Sequence, residues 1–496
     1  MATEFVTRPL LTVTVTASTT AELRQHRDAV ADADLVELRL DSVADPSVAG
    51  ALAGRRRPVI LTCRPVWEGG QFSGSEEERR KLLSEAISLG AEYVDIEWRA
   101  RFDDLVARTA GRRIVLSMHD FRAMPASLAE DARAMRATGA EIIKIAAKAN
   151  RLSDCLPLLD LGKTMGKQGG MVLIAMGDCG LSSRVLARRF QSVWTYAGGV
   201  GEVGQLTPSA LLEEFRFRML SDSTDVYGVV GSPVSHSVSP AMHNAAFQAA
   251  RIDAVYLPLP SADADDFVTF ARGMGLKGAS VTIPYKVALY ERVDEADAVA
   301  RRIGAINTIT IAGDRWLGAN TDAEGFLQPL HERGISVRGL RTAILGAGGA
   351  ARAVAIALAP SGAEITVHAR NRAQAEDVAM LVSSKAGGWP PEPGSWDLAV
   401  NCTPLGMLER IDQTPIPAEA MTGRLVYDLV YNPAVTRLLR DASARGLQVI
   451  GGLEMLVAQA QEQFKWWFDT RPPAGVMRAA AEKRLAEFRV HENHIA

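Results

Sequence analysis

Four cysteines are spread through 496 residues, at Cys63, Cys155, Cys179 and Cys402, with no Cys-x-x-Cys pair among them. That spacing excludes a disulfide framework and a thiolate metal centre, and it fits reduced thiols in a cytoplasmic protein. Charge of either sign is also scarce in net terms. The total is only -3 and no long basic block occurs, so neither nucleic acid nor an anionic membrane is an expected partner. No uninterrupted run of about 18 apolar residues suggests a membrane span. The start "MATEFVTRPLLTVTVTAS" has no cationic segment leading into a long apolar core, so no secretory leader is read there and a cytoplasmic location is expected. Fixed-period repeats and low-complexity tracts are absent too. What remains is an ordinary globular composition, 47% hydrophobic and 23% charged, and a length that predicts two to four domains.

From Pro9 to about Pro208, short β-rich runs alternate with helical ones. Eight strands are predicted: "LLTVTVT" from Leu10, "DLVELRL" from Asp34, "PVILTC" from Pro58, "YVDIEW" from Tyr93, "RIVLSM" from Arg113, "EIIKIA" from Glu141, "MVLIA" from Met171 and "VWTYA" from Val193. Segments such as "SEEERRKLLSEAISLG" lie between them, with the polar starts and glycine stops of helices. Eight βα units in this length fit a compact (β/α)8 barrel; a doubly wound open sheet with stray strands is the alternative. In a barrel, chemistry gathers at the C-terminal strand ends. Glu37, Arg39, Arg64, His119, Lys144 and Arg184 fall there, a set suited to a small anionic substrate. Lys144 sits in the middle of an apolar strand, where an ammonium must pair, snorkel or lose its proton. Neighbouring arginines are expected to disfavour its charged form, and a lysine nucleophile beside a histidine suits Schiff-base chemistry.

After a linker read at Ser221–Asp225 the grammar changes. "DVYGVVGSPVSHSVSPAMHNAAF" predicts a strand, a Ser/Pro-rich loop and a helix, and "AVYLPL" and "GASVTIPYK" predict further strands. This reads as a small α/β substrate domain followed by a dinucleotide-binding domain. In "RTAILGAGGAARAVAIALA", Gly346 allows a tight turn, Gly348 and Gly349 let the backbone approach a pyrophosphate, and the helix start supplies amide donors, with Ala347 and Ala350 in the same turn. The next strand ends in "VHARNR", where Arg370 and Arg372 flank Asn371. An NAD site usually carries an acidic residue there, so a 2'-phosphate and NADP(H) are predicted. Lys286 in "VTIPYK" and Asp322 in "ANTDAEGF" are placed at strand ends facing that cofactor, as a proton donor and its partner. Ser237 and Ser239 offer hydroxyls to a polar ligand, whereas His236 and the Trp466–Trp467 pair read as structural. The stretch "LEMLVAQAQEQFKWWF" is amphipathic and is expected to pack back as a helix.

Together these residues resemble a known fusion. The first half is similar to type I 3-dehydroquinate dehydratase through "VELRLD", "LTCRPVWEGG", "LSMHDF", "ATGAEIIKIA" and "GQLTP". The second resembles shikimate dehydrogenase through "GSPVSHSVSPAMHNAAF", "VTIPYK", "GAINTI", "ANTDAEGF", "LGAGGAARA", "NCTPLGM", "YDLVYNP" and "GGLEMLVAQA". The resemblance implies a dehydratase barrel over 1–220, a substrate domain over 225–328 and 455–490, and a Rossmann-like NADP domain over 329–454. It implies that Lys144 forms an imine with 3-dehydroquinate, with His119 as acid–base and Glu37 holding His119. Arg39, Arg64, Glu68, Arg184 and Gln205 would bind that substrate. In the second half it implies Lys286 and Asp322 as the catalytic pair on 3-dehydroshikimate and Ser237 and Ser239 at the carboxylate. Thr282, Asn307, Tyr431 and Gln459 would meet the ring hydroxyls, and Gly452 and the backbone at Leu429 the nicotinamide. No metal is implied.

Two departures from the family pattern stand out. The loop "GEVGQ" has Gly201 and Val203 where "SxPGQ" is usual, which would loosen substrate closure. Ala369, Arg370 and Asn371 replace an "NRT" triplet, keeping the arginine alone. The alternative readings are a non-catalytic sensor on the same folds, a dehydrogenase half that prefers quinate, and a chain with only its dehydrogenase half active.

Overall fold

The computed structural model describes residues 8–198, 204–407 and 410–493. Two compact units divide the chain: Met1–Asp225 with Leu257–Gly275, and Val226–Tyr256 with Leu276–Ala496.

In the first unit the eight predicted strands form. They are β1 Leu10–Val15, β2 Leu35–Arg39, β3 Val59–Thr62, β4 Tyr93–Glu97, β5 Ile114–Asp120, β6 Ile142–Lys148, β7 Gly170–Met176 and β8 Trp194–Ala197. Each pairs in parallel with its sequence neighbour from β1 to β7, and β8 returns to pair with β1. A single bridge between Met171 and Ser192, with the Val193 amide donating to Met171 at 2.8 Å, nearly closes the ring between β7 and β8. The sheet is therefore a nearly closed (β/α)8 barrel and not the open alternative. Helices between the strands start where the sequence supplies caps. Ser75 accepts from the Glu78 amide while Glu78 accepts from the Ser75 amide, fixing the start of helix Glu76–Ser88. Within the same unit, Asp266 at the start of helix Ala264–Met274 accepts from the amides of Leu152 and Ser153 at 3.1 and 3.0 Å.

Strand side chains alternate between faces, so one stripe of each strand looks inward. The inward stripe begins apolar: Leu35, Ile60, Val115, Ile142, Val172 and Trp194 form one buried cluster. Two residues further along, the same stripe carries Glu37 on β2, Thr62 on β3, Ser117 on β5 and Lys144 on β6. Asp95 and Glu97 occupy it on β4 above Tyr93. Another step leads to Arg39, Arg64 and His119. The period of two thus stacks a charged layer on an apolar floor, and Lys144 is the β6 member of that layer.

Two further sheets follow β8 in the chain. The first has order β10-β9-β11-β13-β14-β12, with β9 Asp225–Gly231, β10 Ala254–Pro260, β11 Gly278–Val281, β12 Glu295–Ala296, β13 Thr308–Ala312 and β14 Arg315–Ala319. The second has β15 Arg341–Leu345, β16 Glu364–His368, β17 Lys385–Gly387, β18 Leu398–Asn401, β19 Leu425–Asp428 and β20 Gln448–Ile450. Its order is β17-β16-β15-β18-β19-β20, every pair parallel. Strand order reverses beside β15, the place where doubly wound sheets open a crevice for a dinucleotide. The amphipathic C-terminal stretch forms helix Gly452–Phe468, and its Phe464 packs with Tyr227, Val229, Met242 and Phe247. No described helix is long and apolar enough to cross a membrane.

Two candidate active sites

A cavity of about 140 Å³ opens at the C-terminal end of the barrel strands. It is lined by Glu37, Arg39, Arg64, Glu68, His119, Lys144, Arg184 and Gln205, with Thr14, Phe121 and Tyr196. Every dehydratase residue expected from sequence thus meets in one place. Arg184 arrives on the short helix Leu181–Val185 that follows β7. Burial lowers its pKa to about 10, which leaves it cationic at neutral pH. Gly201 and Val203 lie outside the described residues.

Lys144 is 5% exposed. Its ammonium donates to Asp95 Oδ2 at 3.0 Å, stands 3.5 Å from Glu37 Oε1, and lies 4.5 Å from the centre of the Tyr196 ring. Burial pulls its pKa down, but Asp95, Tyr196 and Glu37 together outweigh burial and Arg64, and the value ends above that of an ordinary lysine. The expectation that arginines would neutralise Lys144 is therefore corrected: it rests as an ammonium. The nearest arginine, Arg64, already spends its charge on carboxylates. It donates to Asp95 at 3.1 Å and to Glu97 at 2.9 Å, and also to the Ser117 hydroxyl at 2.9 Å. Glu97 is in turn held by buried Arg79.

His119 shows the opposite shift. Burial first, then Arg64 and Lys144, hold its pKa well below the ordinary imidazole value, so it is neutral. Its partner also differs from the expected one. The His119 amide donates to Glu68 Oε1 at 2.7 Å, and the same oxygen is 3.4 Å from Nδ1. Glu37 instead accepts from the hydroxyls of Thr14 at 2.9 Å and Thr62 at 3.0 Å. It faces the lysine, while the His119 ring meets Arg64 at 3.3 Å and Glu68 at 3.4 Å through Nδ1. Arg39 is held in a two-pronged pair by Asp41 at 2.8 and 2.7 Å. Asp41, Asp95, Glu97 and Tyr196 were not singled out from sequence. "YVDIEW" carries the missed signal, two acids two residues apart in phase with inward-facing Tyr93.

The second site lies in the second unit. Lys286 and Asp322 are directly hydrogen-bonded. Both stand just past the strand ends where they were placed, as first residues of helices Lys286–Tyr290 and Asp322–Glu332. The Asn307 amide donates to Asp322 Oδ1 at 2.8 Å, Thr321 Oγ1 at 2.9 Å and Gln459 Oε1 at 3.4 Å. One carboxylate oxygen of Asp322 thus faces the lysine and the other is fixed by Asn307. Thr282 follows β11, its amide donating to Val230 O at 2.9 Å. Ser237 Oγ accepts from the Ser239 amide at 3.2 Å, at the start of helix Ser239–Ala250. His236 is exposed with its ring edge against Phe488, and Trp467 packs on Tyr227, as the structural reading expects. Tyr431 is half-buried against the cluster that includes Tyr227.

The glycine turn fits a dinucleotide. Gly346 adopts φ +114°, a conformation that favours glycine. Gly348 caps helix Gly349–Leu358, and a side chain at Gly348 or Gly349 would meet nothing within 4 Å, which leaves open space over the helix amides. Ala347 and Ala350 complete that turn. At Gly452 a Cβ would stand 2.4 Å from Leu429 O, so helix and loop meet there only through glycine. The three polar residues after β16 separate in role. Asn371 caps helix Arg372–Met380 through the Gln374 amide, and Arg372 pairs with Glu376 at 2.9 Å. Arg370 is exposed and lies at the crevice edge without such a tie among the described residues.

Family models match both halves of the chain. That of type I 3-dehydroquinase matches residues 11–222, that of the shikimate dehydrogenase substrate-binding domain 229–309, and that of the shikimate 5'-dehydrogenase C-terminal domain 452–482. The chloroplastic bifunctional 3-dehydroquinate dehydratase/shikimate dehydrogenase of Arabidopsis thaliana is 34% identical over 475 residues, covering 87% of this chain and 77% of that one. An NADP(+) shikimate dehydrogenase of Symbiobacterium thermophilum is 42% identical over 276 residues, 52% of this chain and 93% of its own. A crystal structure of shikimate dehydrogenase in complex with NADP+ superposes with a TM-score of 0.51 at 35% identity, covering 54% of this chain and 97% of that one. Likeness of this extent and order places the chain in the family of bifunctional 3-dehydroquinate dehydratase/shikimate dehydrogenases.

Proposed function

We propose that the barrel dehydrates 3-dehydroquinate to 3-dehydroshikimate through an imine on Lys144, and that the second unit reduces this product to shikimate with NADPH. The observation that carries the first half is that Lys144 and His119 line one cavity together with Arg39, Arg64 and Arg184, with Lys144 held 3.0 Å from Asp95. Lys144 must shed its proton before its amine attacks the substrate ketone. The cost is about 1.4 kcal/mol for each unit by which its pKa exceeds the pH. Loss of water from the adduct gives the iminium, which Asp95 and Glu37 stabilise as they do the ammonium. Nδ1 of His119 lies 3.3 Å from an Arg64 nitrogen and 3.4 Å from Glu68 Oε1, and the neutral imidazole takes the proton beside the imine carbon. The enamine then expels the ring hydroxyl as His119 returns that proton, and hydrolysis frees Lys144. Arg39, Arg64, Arg184 and Gln205 hold the substrate's carboxylate and hydroxyls.

In the second site, bound NADPH supplies the hydride. Lys286, held by Asp322, gives a proton to the carbonyl oxygen. Ser237 and Ser239 bind the carboxylate, and Thr282, Asn307, Tyr431 and Gln459 bind the hydroxyls. Gly346, Gly348 and Gly349 cradle the pyrophosphate, Arg370 binds the 2'-phosphate, and Gly452 and Leu429 border the nicotinamide. A cytoplasmic location belongs to the same reading, supported by four free cysteines.

Purified protein with 3-dehydroquinate and NADPH should consume NADPH only when both are present. Consumption with 3-dehydroshikimate but not with 3-dehydroquinate would overturn the dehydratase assignment, and no consumption with either would overturn both.

A further inference from the structure

Helix Gly452–Phe468 is fastened to β13 by a matched stripe of side chains. Gln463 Nε2 donates to the Asn307 carbonyl at 3.0 Å, and Trp467 Nε1 donates to the Ile309 carbonyl at 3.0 Å. Residues four apart on a helix face the same way and rise about 6 Å. Carbonyls two apart on a strand point to the same side and are spaced about 6.7 Å. The two repeats nearly coincide, so Gln463 and Trp467 lock the helix in one register along the strand. One turn earlier on that face is Gln459, which meets the Asn307 amide, and whose backbone carbonyl accepts from the Thr321 hydroxyl at 3.2 Å.

Gln463 also receives support from behind. The Tyr256 hydroxyl donates to Ser280 Oγ at 2.5 Å, and the Ser280 hydroxyl donates to Gln463 Oε1 at 2.7 Å. Tyr256, Ser280, Gln463 and Asn307 are all buried, where each hydrogen bond has little water to replace it and misalignment is costly. From the Asn307 side chain, contacts run on to Asp322 and then to Lys286.

We propose that Gln463 is a positioning residue of the dehydrogenase site: through one side-chain amide it holds the backbone carbonyl of Asn307, and so fixes the place from which the Asn307 side chain reaches Asp322 and Gln459. The inference rests on the dehydrogenase reading of the second unit. Gln463 touches neither substrate nor cofactor; it acts through Asn307.

The test compares Gln463→Leu and Ser280→Ala in the full chain, with shikimate and NADP+ as substrates and dehydration of 3-dehydroquinate as the internal control. In Gln463→Leu, kcat should fall roughly ten- to a hundredfold, the range a misplaced catalytic group costs. KM for NADP+ and the dehydratase rate should stay within about twofold of the parent, since neither involves Asn307. The solvent deuterium isotope effect on kcat should rise, because proton transfer at Lys286 becomes slower relative to other steps. Ser280→Ala should move kcat the same way by less, and the double variant should be no worse than Gln463→Leu alone. A kcat within twofold of the parent in folded Gln463→Leu would overturn the proposal, as would a loss shared equally by KM for NADP+. If Gln463→Leu does not fold, Ser280→Ala decides: an unchanged isotope effect and kcat refute the chain. Parent protein inactive on shikimate would instead refute the dehydrogenase reading.

Discussion

Lys144 on β6 and Asp95 on β4, two strands apart in the barrel, stand 3.0 Å from nitrogen to carboxylate oxygen, both buried. This contact keeps the nucleophile protonated at rest and makes its deprotonation part of the reaction.

Asp95→Asn should therefore let Lys144 react at lower pH. The readout is the pH dependence of borohydride trapping with 3-dehydroquinate, followed as added mass on the Lys144 peptide. The profile should move toward acid in the variant; an unmoved profile would remove Asp95 from the control of Lys144. Folding should suffer by about 3–5 kcal/mol, because Arg64 and Lys144 lose a buried countercharge.

Glu68→Gln and Glu37→Gln should separate by step. Glu68→Gln leaves His119 poorly oriented, so proton removal should slow by roughly 10²-fold or more while trapping of the imine persists. Glu37→Gln should act on the trapping step itself. Single-turnover mixing resolves the two, and identical defects in both steps would argue against separate roles.

His119 is neutral in the folded barrel, and its folded pKa lies below the unfolded value near 6.5. The unfolded state then binds the extra proton between those two values, so this group's stability contribution is full above about pH 6.5 and fades as pH falls toward the folded pKa, by at most about 1.4 kcal/mol per pH unit. Urea unfolding of parent and His119→Asn between pH 7 and 5 should show the steeper acid loss in the parent. Equal slopes would mean that His119 is not desolvated.

Arg370→Ala should raise KM for NADPH about tenfold or more and leave KM for NADH nearly unchanged, because a guanidinium–phosphate contact is lost. Arg372→Ala should do little, its guanidinium being tied to Glu376. Parallel weakening of both cofactors by Arg370→Ala would remove the 2'-phosphate assignment.

Much of this architecture was legible in the chain, because strand periodicity is a local property. All eight barrel strands and the glycine turn came from runs of a few residues. Lys144 and His119 were legible as polar residues at the C-terminal strand ends. Their protonation was not, since it depends on which charges are already spent: Arg64 lies close to Lys144 but is matched by Asp95 and Glu97, which a count of nearby arginines overlooks. Glu37 was given to His119 for a similar reason. Choosing between two carboxylates requires knowing that Glu68 swings in on the short turn Val66–Glu68 after β3. Gln463 escaped notice because its importance arises only where helix and strand repeats meet.

In the proposed reaction the helix that starts at Gly452 joins the cofactor end to the substrate end. Gly452 rests against Leu429, and two turns on, Gln459 meets Asn307. Seven residues of helix span about 10.5 Å, so on the proposed reading this segment is a ruler between the two reactants. A single residue inserted between Gly452 and Gln459 would lengthen the ruler by only about 1.5 Å but turn Gln459 by about 100° away from Asn307. Spacing along this helix is thus under tighter constraint than the identity of the side chains on its outer face.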